Sequence, residues 1–266
     1  MRASRPWDWR WPATSDGLRA PVIEIRDLTL SYPGVTVLDV PELTVADGAL
    51  TYLIGLNGTG KTTLLRCICG VIAPAVGTVR VDGTLVRAHR TTPATLGMHL
   101  NYRAFDPRHT ARRHLRWIAR ARGLPTGRVG DVLEIVDLVR VADRRLGHYS
   151  LGMLQRVGIA AALLSEPRTL LLDEPLNGLD IAGIRWIREL LRRLADAGTC
   201  VLVATHLLDE VERNADHIVI LGDRRILADQ PFAHLMDTLE PGESSLEDAY
   251  LRIAGLPTDV TSGVAP

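Results

Sequence analysis

Three glycines, three threonines and a lysine share one short segment, GLNGTGKTT at residues 55–63, directly after the apolar run LTYLI. The spacing matches G-x-x-x-x-G-K-[ST], a loop whose backbone N–H groups surround phosphate oxygens while the following helix points its positive end at the same anion. In that arrangement Lys61 reaches the β and γ phosphates, and the hydroxyl of Thr62 binds Mg²⁺. A chance glycine-rich turn is the alternative, and the preceding strand, the glycines and the lysine together favour the phosphate-binding loop.

Lys61 is the only lysine of the chain, and all the other basic residues among its 31 lysines and arginines are arginine. A GC-rich genome would explain that general preference for arginine. Position 61 therefore indicates a site that requires a compact ammonium on a flexible stem, which the planar guanidinium of arginine does not supply.

Two adjacent acids, Asp173 and Glu174, follow another apolar run in the segment TLLLDEP. Ligands of open α/β sheets bind at the carboxyl ends of the strands, so Asp173 is placed to hold Mg²⁺. Glu174 is placed to orient an attacking water or to accept its proton. A strand that simply exits into solvent is the alternative, and it is disfavoured because two acids are costly to place beside a core.

A second helix start that suits an anion lies in YSLGMLQR, residues 149–156, which leads into the apolar stretch VGIAAALLS. Ser150 is the expected N-cap of this helix, and Ser150 with Gly152 leaves backbone N–H groups available. Alone, the segment indicates only a capped helix. Since one domain has little use for two γ-phosphate sites, the pair of sites suggests two copies of the domain arranged head to tail.

These segments occur in the order found in the ATP-binding cassette family, the nucleotide-hydrolysing subunits of ABC transporters, and the chain resembles that family from about residue 22 to residue 255. GLNGTGKTT resembles the Walker A loop, TLLLDEP resembles Walker B with its catalytic glutamate, and YSLGMLQR is similar to the signature L-S-G-G-Q-x-Q-R. NGLD at residues 177–180 resembles the D-loop, and VATHLLDE places His206 like the family's switch histidine.

The resemblance implies a role for each matching residue. Tyr32 corresponds to the family's aromatic side chain that stacks on adenine. Asp180 corresponds to the D-loop aspartate that lies across the interface between two subunits. The residues implied in catalysis are Glu174, His206 and Lys61. The residues implied in metal binding are Thr62, Asp173 and Asn101. The residues implied in ATP binding are Tyr32, Gly55, Asn57, Gly58, Thr59, Gly60, Lys61, Thr62, Thr63, Asn101, Ser150, Gly152 and Asp180.

The chain departs from the family pattern at three positions. Leu151 stands where the signature usually has glycine, and Met153 stands where it has glutamine. The glutamine expected shortly after LGMHL is absent; Asn101 is its nearest equivalent and His99 is a second option. These departures keep open a nucleotide-dependent regulatory module with weak hydrolysis.

The elements that must position these residues follow from apolar periodicity. VIEIRDLTLSY, LDVPELTV and TVRVDG predict antiparallel strands, with Pro41 at a bulge or an edge. LTYLI, TLLLD, CVLVA and HIVIL are short apolar runs that predict buried parallel strands. HTARRHLRWIARARG and RVGDVLEIVDL show helical spacing, and His109 and His114 are expected to be solvated on an arginine-rich helix.

The expected fold is therefore α/β: a P-loop NTPase core with a parallel sheet, an N-terminal antiparallel β subdomain and an inserted helical subdomain. We expect residues 1–20 to form a disordered tail and residues 21–255 to form the ATPase domain. Within the domain the helical subdomain is expected at about 103–160, and residues 256–266 are expected to form a flexible C-terminus.

Composition narrows the setting. The 266 residues carry zero formal net charge, which offers no electrostatic argument for nucleic acid. Three cysteines at 67, 69 and 200 form neither a disulfide framework nor a zinc spacing, and no stretch is apolar enough to span a bilayer. We expect a protein at the cytoplasmic face of the cell membrane, held there through a partner.

The resemblance implies two partners, a second ATPase subunit (the same chain or a different one) and a separate membrane permease, with ATP and Mg²⁺ as cofactors. The segment SSLEDAYLRIAG resembles the closing helix of exporter ATPases, which favours export of a drug, an antibiotic or a lipid-like compound. A soluble cassette ATPase not linked to transport, in translation or DNA repair, is the other alternative; no second cassette or coiled-coil insert supports it.

Overall fold

The computed structural model describes residues 21–88, 95–100 and 105–257, which form two β-sheets and a set of helices. The strands are β1 (Pro21–Tyr32), β2 (Val35–Ala46), β3 (Leu50–Ile54), β4 (Val76–Val81), β5 (Thr84–Leu85), β6 (Leu96–His99), β7 (Thr169–Asp173), β8 (Cys200–Thr205), β9 (His217–Gly222) and β10 (Arg225–Pro231). The α-helices are α1 (Lys61–Ile68), α2 (Ala111–Ala121), α3 (Arg128–Ile135), α4 (Leu151–Leu163), α5 (Ile181–Asp196), α6 (Leu208–Asn214), α7 (Phe232–Asp237) and α8 (Leu246–Ile253).

The first sheet is antiparallel and has the order β2-β1-β4-β5. Its strands alternate between buried apolar and exposed polar residues, as a sheet with one wet face requires. The predicted Asp-Gly turn joins β4 to β5, and both residues have positive φ, 49° at Asp82 and 70° at Gly83. Pro41 lies in β2, an edge strand, where the missing N–H costs the ladder nothing.

The second sheet has the order β10-β9-β3-β8-β7-β6, and all neighbours from β9 to β6 pair in parallel. Successive side chains point to opposite faces of the sheet. On β3, Tyr52 and Ile54 therefore join the core beneath α2 to α5, whereas Leu53 joins the core shared with α1 and the first sheet. Because both faces are covered, these strands are near-continuous apolar runs, and the predicted α/β fold is confirmed.

Two strands of this sheet and one buried side chain were not predicted. The short strand β6 extends the parallel sheet beside β7, and β10 adds an antiparallel edge beside β9. The expectation that His114 is solvated was wrong, since His114 is 8% exposed and packs edge-on against the ring of Phe105 at 5.0 Å. It shares one helical face with the buried residues Ala111, Leu115 and Ala119.

The helices α2, α3 and α4 pack together, with two short 3₁₀ turns between α3 and α4. Thr110 caps α2 by accepting a hydrogen bond from the Arg113 amide, and the predicted cap Ser150 does the same for the Met153 amide of α4. None of the helices within the described ranges is both long enough and apolar enough to cross a membrane.

The sheet register brings the ends of three strands to one edge. Ile54 pairs with Thr205, and Asp173 pairs with Ala204, so β3, β7 and β8 end side by side. Beyond this edge, β3 leads to Lys61, β7 leads to Glu174 and β8 leads to His206. This edge, at the carboxyl ends of parallel strands, is where ligands of open α/β sheets bind.

Candidate nucleotide-binding site

The glycine-rich loop lies between β3 and α1, as its strand and helix flanks require. Gly60, the residue before α1, has φ 111°, and a Cβ there would lie 2.7 Å from Cδ2 of Leu38. No other residue fits that backbone conformation and that contact. The loop therefore turns tightly enough for its N–H groups and the start of α1 to face one small anion.

Lys61 is 6% exposed, and its ammonium is directed back over the loop. Nζ donates hydrogen bonds to the carbonyl oxygens of Gly55 at 2.6 Å and Leu56 at 3.1 Å, and it lies 3.9 Å from Oε1 of Glu174. Burial lowers the pKa of Lys61 below its usual range, while the charges of Glu174 and Asp173 oppose that shift. The chain's single ammonium is thus held at the centre of the loop.

Asp173 ends β7 and faces the first turn of α1. Its Oδ2 accepts a 2.7 Å hydrogen bond from the hydroxyl of Thr62, whereas its Oδ1 is buried and has no partner in the described part of the chain. Burial raises the pKa of Asp173, and the Thr62 hydrogen bond opposes that rise. A buried carboxylate oxygen with no partner beside a threonine hydroxyl is a donor set that fits Mg²⁺.

In the described ranges, no three His, Cys, Asp or Glu side chains come together as a metal cage. A magnesium ion here would take only one carboxylate and one hydroxyl from the protein. That is the usual arrangement where phosphates and water complete the octahedron.

Glu174 directly follows Asp173 and has φ 48°, an uncommon backbone conformation for a residue other than glycine. Its amide donates to the carbonyl of Ala204 at 2.9 Å, which fixes the turn against the end of β8. Both carboxylate oxygens contact Nδ1 of His206, at 2.9 and 3.0 Å. The structure therefore joins the second acid of β7 to the histidine that follows β8.

Sequence reasoning missed Thr205, the last residue of β8. Its hydroxyl donates to Oε2 of Glu174 at 3.4 Å and accepts a hydrogen bond from the Leu207 amide at 3.2 Å. A threonine at a strand end directly before a histidine was the available signal. Thr205 holds the carboxylate and the following segment together.

The remaining loop residues surround this centre. The Thr59 hydroxyl donates to the Leu56 carbonyl at 2.9 Å, Asn57 and Gly58 lie exposed at the loop's outer side, and Thr63 belongs to the first turn of α1. Tyr32 is 55% exposed at the end of the β1–β2 hairpin. Leu38 of that hairpin lies close to Gly60 of the loop. The exposed ring of Tyr32 is therefore only a few residue pairs along the hairpin from the phosphate loop.

Asn101 lies outside the described residues. Its alternative, His99, is buried at the end of β6, where Nε2 lies 2.6 Å from Oε1 of Gln155. Burial lowers the pKa of His99, and the Gln155 contact opposes that shift. His99 is therefore committed to α4 and does not point into the phosphate site.

The second predicted anion site is not joined to the first. Ser150 caps α4, and Asp180 caps α5 by accepting a 2.7 Å hydrogen bond from the Gly183 amide. In the parts of the chain the structure describes, no hydrogen bond or ion pair connects Ser150, Gly152 or Asp180 to the phosphate loop. Of the predicted site residues that the structure describes, Lys61 and Thr62 are thus brought together with Asp173, Glu174 and His206.

Comparison with known proteins gives a consistent result. A family model described as ABC transporter matches residues 38–177. The bacitracin transport ATP-binding protein BcrA of Bacillus licheniformis is 35% identical over 217 residues, which cover 80% of this chain and 71% of that protein. The lantibiotic transport ATP-binding protein SrtF of Streptococcus pyogenes is 28% identical over 236 residues, covering 86% of this chain and 96% of that protein.

A solved structure described as the ATP-binding subunit of an ABC transporter superposes with a TM-score of 0.79 and 30% sequence identity. The match covers 87% of this chain and 99% of that one. The similarity therefore extends beyond the conserved motifs to almost the whole described fold.

Proposed function

This chain belongs to the ABC transporter family of ATP-binding subunits, and from that premise we propose that it drives export of a small molecule through a separate membrane permease. As a member of that family it binds and hydrolyses ATP. One observation carries the proposal: at a single sheet edge the only lysine of the chain lies 3.9 Å from Glu174, beside the Thr62–Asp173 hydrogen bond. No fold requirement explains that concentration of charge, whereas a triphosphate does.

Each residue of this edge has a distinct task in the proposal. Lys61 exchanges the carbonyl oxygens of its own loop for phosphate oxygens and stabilises the charge that develops on them. Glu174 orients a water for in-line attack and accepts its proton, while His206 keeps the carboxylate in place and faces the γ-phosphate. Thr62 and Asp173 would hold Mg²⁺, which when bound would neutralise negative charge of the phosphates.

We further propose that two subunits face each other head to tail. Ser150 and Gly152 are then the phosphate contacts that one subunit offers to the nucleotide bound by its partner. The separation of this helix start from the phosphate loop within one chain supports the arrangement, because a second subunit is needed to bring both to one nucleotide. The partner is either a second copy of this chain or a similar subunit.

The proposed cargo class comes from the relatives. The two relatives are named for bacitracin transport and for lantibiotic transport, and both names denote antibiotics. We therefore propose a drug, an antibiotic or a lipid-like compound as cargo. In this proposal the permease provides the path across the membrane, and this subunit lies at its cytoplasmic face. None of the described helices is long and apolar enough to span a bilayer. The transport names of the relatives also disfavour a regulatory module or a soluble cassette ATPase not linked to transport.

The experiment is steady-state ATP hydrolysis and fluorescent-nucleotide binding by the purified chain with the variants Lys61→Ala and Lys61→Arg. Lys61→Ala is expected to weaken ATP binding and to lower turnover by about 100-fold or more, since it removes the ammonium that stabilises the negative charge of the transferred phosphate. Lys61→Arg keeps the charge but not the compact ammonium, so we expect it to restore little of the activity. Unchanged ATP affinity and turnover in Lys61→Ala would refute the proposal.

A further inference from the structure

Leu151, one of the two residues that depart from the family signature, packs directly against Gly178 of the D-loop. Gly178 has φ 76°, and a Cβ added to it would collide with Cδ2 of Leu151 and lie 2.8 Å from its Cγ. All three nearest atoms to that position belong to Leu151. The leucine therefore occupies the space that any side chain at position 178 would need, and the two residues are matched to each other.

Two further contacts join the same segments. Gln155 of α4 donates from Nε2 to the carbonyl of Asn177 at 3.3 Å. A Cβ on Gly152 would lie 3.2 Å from Cδ2 of Leu179, so that these residues are also in close contact. The first turns of α4 thus touch three consecutive D-loop residues.

The D-loop is in turn bonded to the catalytic end of β7. The amide of Asn177 donates to the carbonyl of Glu174 at 3.2 Å, and Asp180 closes the segment by capping α5. A movement of α4 would therefore reach the backbone of Glu174 through one short turn. Leu151 and Gly178 also line one cavity of about 500 Å³ together with Ser150 and Asp180. The Leu151–Gly178 contact therefore faces the cavity in which a ligand bound to Ser150 would lie.

We propose that Leu151 is a positioning residue that holds the D-loop, and with it the turn of Glu174, against the start of α4. The inference rests on the proposed function, in which Ser150 and Gly152 contact the nucleotide of the partner subunit. Through the Leu151–Gly178 contact, phosphate binding at the start of α4 influences hydrolysis at Glu174 of the same chain. The departure of Leu151 from glycine is then a compensated substitution.

The first test compares Leu151→Ala with the matched control Leu154→Ala, which removes another half-buried leucine from the same turns of α4. Leu151→Ala is expected to lower kcat about 10-fold with KM changed less than about twofold, since it removes positioning rather than ground-state binding. Leu151→Met keeps the volume and is expected to restore kcat to within about threefold. Thermal unfolding of each variant shows that the protein assayed is folded.

A double-mutant cycle tests the contact itself. Gly178→Ala introduces both the collision with Leu151 and a left-handed conformation that alanine tolerates poorly. Combining it with Leu151→Ala relieves only the collision, so we expect the double variant to turn over faster than Gly178→Ala alone. Additive losses would show that the two residues act independently and would overturn the proposal.

Lys61→Ala is assayed in parallel to separate the two hypotheses. If Lys61→Ala keeps full turnover, the proposed function itself is wrong. If Lys61→Ala is inactive but Leu151→Ala cannot be distinguished from Leu154→Ala, the site is correct and only the positioning role of Leu151 fails.

Discussion

The hydroxyl of Thr62 donates a 2.7 Å hydrogen bond to Oδ2 of Asp173, although the two residues are 111 positions apart in the chain. The bond ties the start of α1 to the end of β7 and leaves Oδ1 of Asp173 buried without a partner among the described residues. A buried carboxylate that is only half satisfied destabilises the nucleotide-free protein. Such a destabilising carboxylate is expected where the function of the side chain is to bind a metal ion.

Asp173→Asn is therefore expected to stabilise the nucleotide-free protein at pH 7 while abolishing Mg²⁺-dependent turnover. Burial raises the folded pKa of Asp173 above its ordinary value. Such a group favours folding below its unfolded pKa, and that contribution is lost as pH rises through the folded pKa. At pH 7 the wild type bears the full cost of the charge, and removing it is expected to contribute about 1 kcal/mol, or about 2–4 °C in Tm.

Thermal unfolding of the wild type and Asp173→Asn at pH 7 and near pH 4 measures this difference. The gap in Tm should narrow at the lower pH, because the wild-type carboxyl gains its proton. A Tm of the variant equal to or below that of the wild type at pH 7 would show that the carboxylate is already satisfied. Thr62→Val, which removes only the hydroxyl, should destabilise the protein instead and serves as the control.

Glu174→Gln is expected to lower turnover by about 100-fold or more while ATP binding stays within about threefold of the wild type, since general-base catalysis has that magnitude. The variant keeps the size of the side chain and one of the two oxygen atoms that contact His206. The prediction is checked by measuring single-turnover ATP hydrolysis and nucleotide binding for the wild type and for Glu174→Gln. A wild type no faster than the variant would mean that the chain binds ATP without using Glu174 to hydrolyse it.

His206→Ala tests whether the histidine acts through Glu174. Because Nδ1 lies 2.9 and 3.0 Å from the two carboxylate oxygens, we expect His206→Ala to lower kcat about 10- to 100-fold by releasing the carboxylate. In a Glu174→Gln background the same substitution should cost far less, as residues acting as one unit are not additive. Equal losses in both backgrounds would assign His206 an independent contact with the phosphate.

Tyr32→Ala is expected to raise the KM for ATP about 10-fold and to leave kcat within about twofold. The ring is 55% exposed, so its removal costs the fold little, while stacking of a base on an aromatic ring contributes about 1–3 kcal/mol. Tyr32→Trp should preserve the affinity, which makes it the matched control. Equal KM values for ATP in the wild type and Tyr32→Ala would remove the ring from the adenine site.

Most of the fold could be predicted because the apolar runs of the buried strands are easy to recognise in the sequence. LTYLI and CVLVA are near-continuous apolar runs, which are typical of a strand covered on both faces. β6 escaped because it has only four residues and includes Gly97, which packs against the Ala162 carbonyl where a Cβ would not fit. β10 was not predicted because its residues are exposed or half-buried at the edge of the sheet and form no apolar run.

The motif residues of the site followed from spacing, but their contacts did not. His114 was misjudged from its arginine neighbours, although its position three residues from Ala111 and one from Leu115 already placed it on the apolar stripe of α2. The contact between Leu151 and Gly178 joins two motifs distant in the chain. Only packing in three dimensions reveals that one departure from the family pattern is matched by a glycine elsewhere.

The C-terminal helix α8 provides the last prediction, because it lies outside the residues matched by the family model and its Tyr250 is close enough to the phosphate loop to be influenced by the backbone of Leu56. Tyr250 of α8 is 6% exposed; burial raises the pKa of its hydroxyl, and the backbone of Leu56 opposes that rise. The carbonyl of Leu56 accepts a hydrogen bond from Lys61, so the backbone of this loop residue interacts with both Lys61 and Tyr250.

Tyr250→Phe removes only the hydroxyl and is expected to destabilise the protein by about 1 kcal/mol and to raise the KM for ATP about threefold, since the loop loses one support. Tyr149→Phe is the matched control, because the Tyr149 hydroxyl donates to the Val141 carbonyl at 2.6 Å in the segment between α3 and α4. That variant should lose similar stability with an unchanged KM for ATP. Equal effects of both variants on KM would show that Tyr250 contributes to stability alone, whereas a rise confined to Tyr250→Phe would make α8 part of the nucleotide site.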